Sequence, residues 1–273
     1  MMLQYIHWNV NPEIFTIGGW GPRWYGLFFA LSFVAGYYLI LNYFKREGIK
    51  QDVLDSLTMY MFIGTLIGAR LGHCLFYEPA YYLKNPLEIL FVWHGGLASH
   101  GAAIGILIAL YFFVRKHKKN YLWIFDRVVI AVALAGFFIR MGNLMNSEIY
   151  GHETNLPWGF IFELRGETVP KHPTQIYEAL SYLFIFGLLS VIFRKTWQSQ
   201  RHGLIFGIFL ILLFTARFLI EFVKENQVAF EENMQLNMGQ MLSIPFVLAG
   251  FALVINALRH KPVEMQKPGN YKV

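Results

Sequence analysis

Cysteine is nearly missing from this chain. Its 273 residues contain one, Cys74, which excludes a disulfide framework and every multi-cysteine metal or redox motif. Charge is scarce as well: charged residues make up 15% of the sequence, against about 25% in an average soluble domain. Histidines at a tight ligand spacing such as H-x-x-x-H are lacking, so neither a metal nor another cofactor is expected. Internal repeats and low-complexity tracts are lacking too. Residues 1–21 have neither a basic start nor an apolar core, so a cleaved signal peptide is not expected there.

Apolar residues take the place of the missing charge. The chain is 56% hydrophobic, with 26 Phe, 15 Tyr and 7 Trp. A water-soluble globule of this composition would have to expose much of its apolar surface, which argues against a soluble enzyme. The net charge of +6 would by itself suit nucleic acid. The basic residues, however, sit in short clusters between long apolar runs, so no nucleic-acid partner is expected.

A membrane-crossing helix needs roughly 20 mainly apolar residues. Seven segments qualify: Tyr25–Phe44, Ser56–Phe76, Gly96–Val114, Tyr121–Ile139, Glu178–Phe193, Gly203–Phe222 and Gln240–Leu258. The fifth is short and can extend into its flanks. The pattern predicts an all-α polytopic membrane protein, a single integral-membrane domain over residues 1–273. Lys45, Arg46 and Lys50, then Arg115, Lys116, Lys118 and Lys119, then Arg194, Lys195 and Arg201, and finally Arg259, Lys261, Lys267 and Lys272 occupy one side. Lys84, Arg140, Arg165, Lys171 and Lys224 are spread over longer connections on the other. By the excess of Lys and Arg in cytoplasmic loops, the N-terminus lies outside and the C-terminus in the cytoplasm. The external connections 77–95, 140–177 and 223–238 are long. Residues 140–177, between the fourth and fifth spans, carry Gly, Trp and Phe and are expected to form a small ordered head.

Charged groups inside spans are costly and mark function by default. Arg70, His73, His100, Arg140, Arg217 and Glu221, with Tyr25 at the mouth of the first span, all fall toward the outer leaflet. Most lie within about 10 Å of the interface at a rise of 1.5 Å per residue. Structural roles compete for each of them. Arg217 and Glu221, four apart, suit a neutralising pair; Arg70 suits snorkelling to headgroups; His73 suits a packed, hydrogen-bonded ring; Cys74 suits a small buried apolar residue. Asp126 and Arg127 suit an interfacial helix end. It is the convergence of the set on one leaflet that points to chemistry. Guanidinium forks match phosphate oxygens, and a histidine with carboxylates nearby moves protons. The residues alone therefore describe a polytopic enzyme or transporter handling a phospholipid at the outer leaflet.

Five stretches sharpen this. They are Pro22-Arg-Trp-Tyr-Gly26, Trp93-His-Gly-Gly-Leu-Ala-Ser-His-Gly101, Arg140-Met-Gly-Asn-Leu-Met-Asn-Ser-Glu-Ile-Tyr-Gly151, His172-Pro-Thr-Gln-Ile-Tyr-Glu178 and Arg217-Phe-Leu-Ile-Glu221. In this order, on seven spans from Pro22 to Leu258, the sequence resembles the prolipoprotein diacylglyceryl transferase family of bacterial inner membranes. It departs from that pattern at Ile139, where the family usually has Gly, and at Lys224-Glu-Asn-Gln227. Leu213 and Phe214 also stand where an aromatic hydroxyl is frequent.

The resemblance implies transfer of the diacylglyceryl group of phosphatidylglycerol to the thiol of a lipobox cysteine in a prolipoprotein signal peptide, with glycerol phosphate leaving. It implies an inner-membrane enzyme, surrounded by membrane lipids, with its site toward the periplasmic leaflet and a periplasmic head. On this reading Arg140 and Arg217 hold the phosphate, and Asn143, Asn146 and Gly151 shape the headgroup pocket. His100 takes the thiol proton or binds the glycerol. Glu148 and Glu221 orient the arginines, and Tyr25 lines the way in. The alternative from another class is a phospholipid transporter or flippase using the same outer-leaflet arginines. That reading would predict midplane polar sites and repeated halves. An intramembrane Ser–His protease is disfavoured, because the adjacent Ser99 and His100 point about 100° apart on a helix. A seven-span receptor rests on span count alone.

Overall fold

The computed structural model describes residues 5–18, 21–92, 95–196, 199–225 and 235–264. Seven helices among them are long and apolar enough to cross a membrane. They are α1 (Trp24–Arg46), α2 (Gln51–Phe76), α4 (Ser99–His117), α5 (Tyr121–Met145), α6 (Thr174–Thr196), α7 (Leu204–Ile220) and α8 (Met238–Arg259). Among the described residues there are also a short helix α3 (Pro79–Lys84), short 3-10 turns, and four short strands: β1 (Ile6–Trp8), β2 (Phe160–Phe162), β3 (Ser199–Gln200) and β4 (Val263–Glu264).

The helix ends follow local chemistry. The third span starts at Ser99 rather than Gly96, because Gly95 and Gly96 have φ of 90° and 71° and cannot continue a right-handed helix. Asn237 and Gln240 cap the start of α8 reciprocally. The fourth span runs past Ile139 to Met145, since no Gly or Pro pair interrupts it before the turn at Ser147, whose φ is 51°. Arg140 is therefore helical instead of opening a loop. Asp126 and Arg127, read from sequence as interfacial, are both buried. The Asp126 carboxylate accepts from the backbone N–H of Gly203 and Phe206 and so caps α7, while Arg127 donates to Gln200 Oε1 at 2.6 Å.

The chain divides into two compact units. One contains the chain up to Ile40 and from Phe125 onward, the other Leu41–Ile124. In the first, residues 146–173 form an ordered knob after α5. β1 pairs in parallel with β2, with Trp8 opposite Phe162, and the Trp8 indole donates to the Leu144 carbonyl at 3.0 Å. Leu144, Phe160 and Phe162 form its core, with Tyr150 stacked on Phe162 at 4.7 Å.

In the second unit α2 and α4 touch backbone to backbone. A Cβ on Gly105 would lie 2.1 Å from the Gly64 carbonyl oxygen, and one on Gly101 2.3 Å from that of Gly68. Small residues permit such contact where lipid supplies no hydrophobic drive between helices. Gly105→Val is accordingly expected to lower the melting temperature in detergent, with a loss of at least about 1–3 kcal/mol from overpacking. Gly187→Ala, where a Cβ meets nothing within 4 Å, should melt at or above the parent value.

Candidate functional site

The last turns of α5 carry the first half of the site. The Arg140 side chain is mostly buried, and its Nε is ion-paired with Glu178 of α6. Its Nη1 donates to Asn143 Oδ1 at 3.1 Å, one turn along the same helix. Asn143 Nδ2 donates in turn to Glu148 Oε1 at 2.8 Å, and Asn146 Nδ2 to the same oxygen at 3.3 Å. Left-handed backbone at Ser147 and Ile149 (φ 51° and 63°) turns the chain back so that Glu148 reaches Asn143. Side chains of α6 hold that turn: Thr174 Oγ1 donates to the Ile149 carbonyl and Gln175 Nε2 to the Glu148 carbonyl, both at 2.8 Å.

Two further residues expected from sequence join this network. Tyr25, in the first turn of α1, packs on Gly142 so closely that a Cβ there would be 2.8 Å from its ring, and it feels the charges of Arg140 and Glu148. Gly151 pairs with Lys224 through the backbone; a Cβ would sit 2.1 Å from the Val223 carbonyl, so only glycine fits.

The second half comes from the end of α7. Glu178 shares its carboxylate between Arg140 and Lys224, whose Nζ lies 3.2 Å from Glu178 Oε1. Lys224 is 3% exposed and also lies 3.8 Å from Glu221 Oε2. The pairing of Arg217 with Glu221 expected from their spacing is not formed. The backbone register is kept, since the Glu221 N–H still bonds the Arg217 carbonyl before the tighter 3-10 turn over Glu221–Val223. The Glu221 carboxylate instead lies against Gly239 in the first turn of α8, where a Cβ would approach its Cδ to 2.6 Å. A helix N-terminus favours negative charge there.

Arg217 lines a narrow crevice with Glu178, Tyr182 and Ile220. Among the described residues its guanidinium has no hydrogen-bond or ion-pair partner. Arg140 and Arg217, from α5 and α7, thus both border Glu178 of α6. The carboxylate ion-paired with Arg140 is Glu178 of α6, while Glu148 reaches it through Asn143. Sequence reasoning passed over Glu178 as the start of a span and Lys224 as a departure from a pattern. The signal was present in both: an ionisable residue at the edge of an apolar run.

The knob beside Gly151 has its own polar set. Burial and a hydrogen bond to Glu167 push the Tyr150 hydroxyl up to about 12. Burial works against the charge on Lys171, but Glu225, Glu167 and Glu153 outweigh it and raise its pKa. Burial and the neighbouring His152 lower that of His172.

The remaining candidates belong to the second unit. His100 is exposed in the first turn of α4, its ring against Phe76 at 5.3 Å and Tyr77 at 5.7 Å between centroids. Arg70 neither snorkels nor offers a phosphate site. It is 3% exposed, donates to the carbonyls of Glu88, Ile89, Gly95 and Gly96, and lies 5.1 Å from the Tyr82 ring centre. Its physical role is to hold the loop leading to α4. His73 is packed between Tyr77 and Tyr82, and Cys74 is buried. Trp93 and His94 of the second motif, Asn226 and Gln227, and Lys267 and Lys272 lie outside the described residues.

The sequence has named counterparts. A family model described as prolipoprotein diacylglyceryl transferase matches residues 12–256. A protein of Tolumonas auensis is 49% identical over 257 residues, covering 94% of this chain and 99% of its own length. One of Chloroherpeton thalassium is 47% identical over 263 residues (96% and 97%), and one of Porphyromonas gingivalis 46% over 272 (94% and 96%). All three carry the name phosphatidylglycerol–prolipoprotein diacylglyceryl transferase. The flippase alternative finds no support among them.

Proposed function

This chain belongs to the prolipoprotein diacylglyceryl transferase family, and from that premise we propose that it moves the diacylglyceryl group of phosphatidylglycerol onto a lipobox cysteine of a prolipoprotein. The cysteine sulfur forms a bond to the terminal glyceryl carbon as the carbon–oxygen bond to phosphate breaks. A thioether results and glycerol phosphate departs with the phosphate charge. The thiol proton passes to His100, since the thiolate is the competent nucleophile.

Arg140 and Arg217 grip the phosphate and stabilise the charge that grows on it. Arg140 keeps donors to spare beyond Glu178, Asn143 and the Tyr182 hydroxyl, and Arg217 has no partner among the described residues. Asn143, Asn146, Glu148 and Gly151 shape the headgroup pocket, and Tyr25 closes its side. The observation that carries this reading is the convergence of the two arginines on Glu178, with one of them lacking a partner among the described residues. The asymmetry of Lys and Arg supports a site facing the periplasmic leaflet of the inner membrane, with the knob at residues 146–173 on that side.

The test is direct. Purified protein supplied with phosphatidylglycerol and a lipobox peptide should add a diacylglyceryl mass to the peptide. His100→Gln should slow this by about 10²–10⁴-fold, the usual worth of a general base. A wild-type rate in that variant removes His100 from the mechanism. Movement of labelled lipid with no covalent product would overturn transfer altogether.

A further inference from the structure

On its exposed side the α2–α4 seam opens into a trough of about 550 Å³ lined by apolar side chains, glycines and the Tyr60 ring. Its banks are ridges of half-exposed side chains at helical spacing, Ile63, Ile67 and Leu71 on α2 and Ile104 and Ile108 on α4. Its floor is the glycine contact between the helices, which keeps it smooth and shallow. Two parallel ridges with a small-residue floor form the groove into which a third helix packs.

Length selects the occupant. The lining runs from Met59 to Phe76, about 25 Å of helix at 1.5 Å per residue. One leaflet of a hydrocarbon core about 30 Å thick offers an acyl chain only about half of that thickness. The apolar segment of a signal peptide, up to about 15 residues or about 22 Å as a helix, fills most of it at that length.

The ends fit as well. Phe76 belongs to the trough and has the His100 ring against it, and the His100 imidazole has no hydrogen-bond partner among the described residues. At the far end Asp55 stands one turn before Met59 on the same helix, and Lys116 of α4 lies over the Tyr60 ring at 5.8 Å. Asp55 and Lys116 thus put charge of both signs at the end where the polar start of a signal peptide would lie.

The geometry points to the α2–α4 trough as the docking surface for the apolar segment of the prolipoprotein signal peptide, laid along the seam so that the cysteine following it arrives at His100. This rests on the transferase reading above and adds to it the route of the protein substrate.

A photo-cross-linking residue placed at Ile67 or Ile104, in membranes containing phosphatidylglycerol and a prolipoprotein peptide, should give peptide adducts. The same residue at Leu248, an exposed position on α8, should not. Adducts to lipid alone at all three positions would overturn the proposal. In a second measurement Ile104→Trp, which fills the trough, should raise the KM for the peptide by at least about tenfold and leave that for phosphatidylglycerol unchanged. A shift confined to the lipid KM would assign the trough to acyl chains and also overturn it. Turnover by the parent protein separates the two readings. Peptide adducts without diacylglyceryl product would sink transfer and leave docking standing, while product without adducts would do the reverse.

Discussion

Arg140→Lys is expected to lower kcat for diacylglyceryl transfer by about 10²–10³-fold, the range for removing one preorganised charge-stabilising group, even though the positive charge is kept. A guanidinium presents five N–H donors in a rigid fork. Here Glu178, Asn143 and the Tyr182 hydroxyl already engage it, and the donors left over lie in the same fixed plane for phosphate oxygens. A lysine ammonium is a point charge on a flexible stem. It can neutralise Glu178 or approach a phosphate, but it cannot span Glu178, Asn143 and a ligand at once. Single-turnover measurement with phosphatidylglycerol and a lipobox peptide isolates the chemical step. A Lys variant that turns over at the parent rate would show that the fork is not used, and the assignment of the phosphate site would fall with it.

Glu178→Leu should be among the most destabilising single changes in the protein, costing about 3–5 kcal/mol, the range for stripping one partner from a buried ion pair. The Glu178 side chain is 6% exposed and that of Lys224 3%. Removing the carboxylate leaves Arg140 without its ion-pair partner and Lys224 with only the more distant Glu221. Thermal unfolding in detergent should register the loss as a lower Tm. The pairing itself is then isolated by a double-mutant cycle. Combining Glu178→Leu with Lys224→Met should recover part of the lost stability, because the second change removes one of the stranded charges. Additive losses would mean that Lys224 and Glu178 do not interact. Transfer activity should stay low in the double variant, since Arg140 still lacks the group that aims it.

How far the sequence could be read depended on the range of the interaction. The seven spans were legible because bilayer thickness imposes a length and a composition on each one separately. The segment from Arg140 to Gly151 was legible because its donors and acceptors lie within a few residues of one another: Arg140 to Asn143, and Asn143 and Asn146 to Glu148. The reach of α5 to Met145 was not, since hydropathy falls at Arg140 although the backbone has no reason to stop there. The pairing of Arg217 with Glu221 failed although the helical spacing is kept, the Glu221 N–H still bonding the Arg217 carbonyl. Spacing along a helix permits a contact without choosing it, and the Glu221 carboxylate lies instead against Gly239 and near Lys224.

Composition, apolar length and motif order by themselves determined that this is a seven-span membrane protein of one particular transferase family, because those properties are set by solvent and by short stretches of chain. Only the tertiary structure decided that Glu178 pairs with Arg140, that Lys224 closes the cluster from 46 residues farther along the chain, and that Arg70 clamps a loop. A buried charge takes as its partner whichever group the packing of other helices brings within reach, and no local spacing encodes that choice.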